Sequence, residues 1–189
     1  HILPTGSEVP AGVDINPDPE RNITEALNRN PAAVIINMPS NDAANGISAE
    51  DQLANFATIV QLARDSGVAI WVATTQPRNF GDAASIDVQR EVRDSILSVY
   101  GDRSIDFWTG LATSAGTIEP LVDSGDGVHV NNIGHDTLYR RVVGTRMHSF
   151  VKQTRKAFAD ASLPVELLRF IAGRLPGAGT ILRWEVSRE

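Results

Sequence analysis

The chain has 189 residues, of which 42% are hydrophobic and 21% charged, a composition typical of one globular domain with a sizeable apolar core. Its net charge of −6 opposes binding to phosphate backbones, so we expect no nucleic-acid partner. The sequence contains no cysteine, which excludes disulfides, thiol nucleophiles and thiolate metal sites. No apolar stretch approaches the roughly 20 residues of a membrane span, so no membrane association is expected.

The pattern of apolar residues predicts strands that alternate with helices. Three runs are typical of buried parallel strands: Val34–Met38, Val68–Ala73 and Ser104–Trp108. Four amphipathic helices are predicted to begin near Pro19, Ser48, Ser85 and Gly134, the last extending towards Ala159. This alternation predicts right-handed crossovers and a three-layer α/β/α sandwich with a parallel sheet. Because ligands bind at the carboxyl ends of such strands, the loops that follow them are the place to search for a site.

The last 27 residues differ from this pattern and are predicted to form a tail. A short helix is expected over Pro164–Ala172, a turn over Pro176–Gly179 and a strand over Thr180–Val186. We therefore divide the chain into an α/β domain over residues 1–162 and a C-terminal tail over residues 163–189.

Two polar strings stand at the positions where such a fold places chemistry. Asn41 follows the first predicted strand, and the string from Asp126 to His129 precedes the last helix. A carboxylate three residues before an imidazole can accept the Nδ1 proton, which leaves the other ring nitrogen free as a general base. An asparagine at a strand's carboxyl end can donate its amide N–H to a developing oxyanion. Together these groups predict a site for acyl transfer.

The two strings resemble sequence blocks of the SGNH hydrolases, also called GDSL-type esterases and lipases. The third block of that family is Gly-x-Asn-Asp after a central strand, and its fifth block is Asp-x-x-His before the last helix. Ser40, Asn41 and Asp42 occupy the x-Asn-Asp positions, and Asp126 and His129 fill the fifth block. The resemblance implies a flavodoxin-like sheet, hydrolysis of esters or acetyl groups, no metal or cofactor, and Asn41 as an oxyanion donor. It also implies that Asp42 braces the loop of Asn41.

The resemblance extends over residues 20–145 and omits the first two blocks of the family. Pro39 stands where the third block has glycine, only 18 residues precede Pro19, and no Gly-Asp-Ser string occurs anywhere. We expect an N-terminally truncated member that has lost two strands. A relocated nucleophile, for which Ser40 is the candidate, and a catalytically inactive protein are the alternatives.

The loss of two strands would leave the strand over Val34–Met38 at an edge of the sheet. A long apolar edge strand is an aggregation hazard unless another strand pairs with it. We therefore expect a homo-oligomer, or a sheet whose edge is covered by the tail strand over Thr180–Val186.

Simpler roles remain open for each candidate residue. Ser40 and Asn41 are also typical of turns after strands. His129 and His135, with Asp126 or Asp136, could instead bind a metal, although their spacing matches no strong zinc signature.

The sequence thus predicts an esterase for small-molecule, short-chain acyl esters. Asp126 would orient His129, His129 would deprotonate a serine hydroxyl or a water, and Asn41 would stabilise the oxyanion. The alternative is a non-catalytic binding or assembly module that keeps the fold and a pocket.

Overall fold

The computed structural model describes residues 3–5, 7, 17–38 and 40–153, and the backbone of residues 166–174 and 180–187. The chain divides into two compact units, His1–Met147 and His148–Glu189. The domain boundary that we predicted between residues 162 and 163 lies outside the described residues. Among the helices that are described, none is both long and apolar enough to cross a lipid bilayer.

The first unit is built on a three-stranded parallel sheet. In chain order its strands are β1 (Ala33–Ile36), β2 (Ala69–Ala73) and β3 (Ser104–Ile105). β2 is central and pairs in parallel with both neighbours, so β1 and β3 are the two edges within the described sheet. The predicted α/β class with a parallel sheet is confirmed.

Five α-helices connect and flank these strands: α1 (Ile23–Asn28), α2 (Asn41–Ala44), α3 (Ala49–Asp65), α4 (Ala83–Tyr100) and α5 (Asn132–Gly144). A 3₁₀ turn over Gly101–Arg103 follows α4. Four of the helices begin at a side chain that accepts a backbone N–H of the first turn, which satisfies a donor that the helix itself cannot. These N-caps are Asn22, Ser48, Asp82 and Asn131.

Alternate residues of β2 face two different helix layers. Ile70 and Val72 belong to the larger apolar cluster, which α1, α3 and α4 complete. Trp71 and Ala73 belong to a second cluster, against which residues of α5 pack. Because successive side chains of a strand point to opposite faces, the sheet is covered on both sides. This arrangement is the predicted three-layer sandwich.

Two predicted elements of the first unit are shorter than expected. The third strand ends at Ile105 because the carboxylate of Asp106 accepts the N–H groups of Trp108 (2.7 Å) and Thr109 (3.0 Å), which turns the chain. The last predicted helix is interrupted: α5 ends at Gly144, Arg146 adopts the left-handed conformation with φ of 53°, and residues 147–153 are helical again. That conformation interrupts a right-handed helix.

The second unit contains an antiparallel pair of strands, β4 (Glu166–Arg174) and β5 (Thr180–Ser187). β5 matches the predicted tail strand. The helix predicted over Pro164–Ala172 is wrong, since residues 166–174 pair with β5 along their length and so satisfy their backbone groups between strands. The predicted turn over Pro176–Gly179 lies outside the described residues.

Candidate functional site

Asp126 and His129 are in direct contact within one tight turn before α5. The ring Nδ1 of His129 lies 2.6 Å from Oδ2 of Asp126. The other carboxylate oxygen, Oδ1, accepts the backbone N–H groups of Val128 and His129, each at 2.8 Å, and the hydroxyl of Ser124 at 3.0 Å. One carboxylate therefore holds both the imidazole and the backbone that carries it.

These contacts keep the carboxylate of Asp126 ionised and favour one tautomer of the His129 ring. The hydrogen bond with the His129 ring, followed by those from the backbone N–H groups of His129 and Val128, holds the pKa of Asp126 well below its ordinary value of 3.8. The carboxylate is thus ionised at neutral pH and favours a proton on Nδ1. The His129 side chain is 72% exposed, and none of the described residues forms a hydrogen bond with its Nε2. This nitrogen is open to a bound molecule.

The turn of this pair depends on glycine. Gly125 and Gly127 have φ of 101° and 68°, in the left-handed region that favours glycine. Oδ1 of Asp123 accepts the N–H groups of both, at 2.8 and 3.1 Å. A Cβ at Gly127 would lie 3.0 Å from the Cβ of Asn79, so the turn fits closely against the neighbouring loop.

Asn41 is the first residue of α2, which follows β1 at the carboxyl edge of the sheet. Its side chain is exposed, and its Oδ1 accepts a hydrogen bond from Nη1 of Arg78 at 3.4 Å. Its backbone carbonyl accepts the side-chain amide of Asn45 at 2.7 Å. The guanidinium holds the side-chain oxygen on one side, and the amide Nδ2, which forms no hydrogen bond with any described residue, can donate to a ligand.

Ser40 and Asp42 flank Asn41 in different environments. Ser40 is 5% exposed and lies at the N-cap of α2, but its side chain makes no capping hydrogen bond. Asp42 is half-buried, and burial raises the pKa of its carboxyl group above 3.8. Its backbone carbonyl accepts the N–H of Ile47 at 3.0 Å, which closes the loop behind α2. Pro39 lies outside the described residues.

The loop over residues 74–80, which follows β2, contacts both polar strings. Two of its residues touch the segment after β1, and two touch the turn of the Asp–His pair. The contacts are Thr75 Oγ1 to the Met38 carbonyl (3.1 Å), Arg78 to Asn41, Gln76 Nε2 to the Val128 carbonyl (2.8 Å) and Asn79 N–H to the Gly127 carbonyl (2.7 Å). Asn41 and the turn of His129 therefore border the same loop at the carboxyl edge of the sheet.

Asn79 is the principal anchor between this loop and the turn. Besides its backbone bond to Gly127, its Oδ1 accepts the N–H of Ile118 at 2.7 Å and its Nδ2 donates to Asp123 at 3.3 Å. Arg78 and Asn79 were not among the candidate residues predicted from the sequence. Their position soon after the second predicted strand was the signal that could have found them.

The structure gives no support to the alternative metal site of His129 and His135 with Asp126 or Asp136. His135 lies on α5 and is exposed, like Asp136 beside it. Within the part of the chain that the structure describes, no group of three or more His, Asp and Glu side chains is arranged to hold a metal ion.

Comparison with known proteins assigns the fold. No protein-family model and no curated protein matches the chain. Solved structures that are similar to it include one from Bacteroides fragilis assigned as an acylhydrolase (TM-score 0.56, 22% identity) and a GDSL-like lipase from Bacteroides thetaiotaomicron (TM-score 0.58, 19% identity). The matches cover 68% and 67% of this chain and 66% of each neighbour, so the chain spans just under two thirds of their length. The chain has the α/β fold of the SGNH/GDSL hydrolases.

Proposed function

We propose that the protein hydrolyses short-chain carboxylic esters or acetyl groups. The observation that carries the proposal is the 2.6 Å contact between Asp126 and His129, with an exposed ring nitrogen at the carboxyl edge of the sheet. Asn41 supplies an amide donor on the other side of loop 74–80. The assignments of the two structural neighbours, an acylhydrolase and a GDSL-like lipase, favour the same class of reaction.

The proposed reaction assigns a role to each of these groups. Nε2 of His129 takes the proton of the attacking hydroxyl or water as its oxygen forms a bond to the ester carbonyl carbon. Asp126 stabilises the imidazolium through Nδ1, and the amide of Asn41 donates to the oxyanion. The bond between the carbonyl carbon and the alcohol oxygen then breaks, and His129 returns its proton to the departing alkoxide. Where a serine attacks, this leaves an acyl-serine, which water hydrolyses in a second round: His129 takes the proton of the water and returns it to the serine oxygen as the acid departs.

Two attacking groups are compatible with this scheme. Ser40 is the candidate serine of the chain, although none of the hydrogen bonds in the described structure joins a serine hydroxyl to the ring of His129. Water is the other, and a single step with water should be slow, because a covalent route divides one difficult step into two easier ones. Labelling with a fluorophosphonate and mass spectrometry distinguishes them. An adduct at Ser40 identifies the nucleophile, and an unlabelled active enzyme indicates water.

The test of the function is hydrolysis of p-nitrophenyl acetate by the wild-type chain and by His129→Ala. We expect the wild-type chain to hydrolyse the ester faster than buffer alone, and we expect His129→Ala to lose this activity. His135→Ala is the matched control. It removes a different exposed imidazole, one that lies on α5, and should retain activity. Equal rates for the wild type and His129→Ala would overturn the proposal.

The absence of a serine bound to His129 among the described residues favours one second candidate, a non-catalytic binding module with the same fold. That candidate predicts equal background rates in the same assay for the wild type, His129→Ala and His135→Ala.

A further inference from the structure

Arg78 places a positive charge beside the proposed oxyanion donor. It lies in the loop after β2, where parallel sheets bind ligands. Its Nη1 is 3.4 Å from Oδ1 of Asn41, and its guanidinium lies over the ring of Phe80, 5.3 Å from the ring centre. The side chain is half-buried, so it is held in one region instead of extending into solvent.

This guanidinium has no carboxylate partner in the described part of the chain. Arg93 provides a contrast, because it is also half-buried and also lies over an aromatic ring, that of Trp108 at 5.0 Å. Arg93, however, pairs with Asp94 at 2.6 Å. A half-buried arginine that lacks a carboxylate retains donors for an anion from outside the chain.

We propose that Arg78 binds a carboxylate of the substrate, so that the proposed site acts on esters that carry a second, ionised acid group. This inference rests on the proposed function and names its substrate class. A guanidinium presents planar pairs of N–H donors that match a carboxylate, and the contact with Phe80 limits the positions that the guanidinium can take. Partial burial reduces screening by salt, so the contact is stronger than one on an open surface.

The position of Arg78 also limits where the acid group lies. Because Nη1 contacts the carboxamide of Asn41, an anion on the remaining guanidinium donors would be adjacent to the amide that binds the oxyanion. The ester carbonyl and the carboxylate would then belong to one short molecule, such as a half-ester of a dicarboxylic acid.

The experiment compares mono-4-nitrophenyl glutarate with the same compound whose free carboxylate is methylated. We expect the wild type to have the lower KM for the ionised ester, and this preference should weaken as salt is added. Arg78→Met should raise the KM of the ionised ester roughly 10- to 100-fold, the usual effect of losing a charge-assisted hydrogen bond. The effect of this variant on the KM of the methylated ester should be several times smaller.

Two further variants make the result specific. Arg78→Lys keeps the charge and should recover part of the preference, whereas Arg93→Met removes the matched, carboxylate-paired guanidinium and should leave the ratio of the two esters unchanged. If Arg78→Met lowers kcat equally for both esters, Arg78 only positions Asn41 and the inference is wrong. A wild-type preference for the methylated ester would also overturn it.

A binding measurement tests this inference independently of the proposed function, because it requires no hydrolysis. If neither ester is hydrolysed, the proposed function fails, and titration with glutarate still tests Arg78. A shift of the Arg78 Nε–H resonance in ¹⁵N NMR that saturates with glutarate supports an anion site. An unchanged resonance overturns that site.

Discussion

Each oxygen of Asp126 has a separate task. Oδ2 contacts the imidazole of His129, and Oδ1 accepts the backbone N–H groups of Val128 and His129. The residue that orients the ring therefore also holds the turn on which the ring stands. Since Nδ1 must be protonated to meet a carboxylate, Nε2 is left unprotonated for proton transfer.

Asp126→Asn should separate these two tasks. The amide oxygen can still accept the backbone N–H groups, but its NH₂ group would face Nδ1 and stabilise the wrong tautomer of His129. We expect the turn to persist and kcat for p-nitrophenyl acetate to fall by about 10⁴-fold, the loss typical of this change in hydrolytic triads. Circular dichroism should match that of the wild type. A loss of less than tenfold would show that the carboxylate does not control the tautomer.

The same carboxylate should make stability depend on pH. The folded pKa of Asp126 is depressed below 3.8, so the unfolded chain binds its proton more readily than the folded chain does. Its stabilising contribution is present above the unfolded pKa and is lost as the pH falls through the folded pKa. Urea unfolding at pH 7 and at pH 3 should show that the difference in unfolding free energy between wild type and Asp126→Asn shrinks in acid. A difference independent of pH would contradict this linkage.

Helix and strand ends that are marked by local residues could be predicted from the sequence. Ends that depend on tertiary hydrogen bonds could not. The cap at Ser48 and the left-handed Gly67 mark both ends of α3, so its extent follows from the sequence. The early end of β3 depends on hydrogen bonds from the Asp106 carboxylate, which no periodicity reveals. Likewise, the contact between Asp126 and His129 could be predicted because the two residues are close in sequence. The hydrogen bonds of Asn79 could not, because its partners lie about 40 residues away.

Asn79→Ala tests the connection between loop 74–80 and the turn of Asp126 and His129. The buried Ile118 would lose the acceptor of its N–H, which should lower the free energy of unfolding by about 1–3 kcal/mol. The turn at Gly127 would also lose its packing against the Asn79 side chain, so kcat should fall while the chain remains folded. Denaturant unfolding and ester hydrolysis measure the two effects.

Asn28→Ala is the control for this variant, because Asn28 is exposed at the end of α1. It should change stability by less than about 0.5 kcal/mol and leave kcat unaltered. If both variants behave alike, Asn79 does not anchor the turn.

Among the described residues, no strand pairs with the outer side of β1, next to the proposed site. β1 is an edge of the described sheet, and its Ile35 side chain is 38% exposed. The strand ends just before Asn41, so any strand that pairs with this edge would approach the proposed site. In the second unit, β5 already pairs with β4 on one side. We expect a second copy of the chain as the cover of β1, with the tail strand as the alternative.

Light scattering of the full chain should accordingly give the mass of a homo-oligomer. Ile35→Lys should shift it towards the monomer, because a lysine on an edge strand opposes pairing between edges. Val99→Lys is the matched control, since Val99 is 70% exposed on α4 and its replacement should leave the oligomer intact. Deletion of residues 174–189 tests the tail as the other cover. A wild-type chain that is monomeric at all micromolar concentrations would exclude a second copy as the cover, and a soluble monomer after that deletion would show that the edge of β1 needs neither partner.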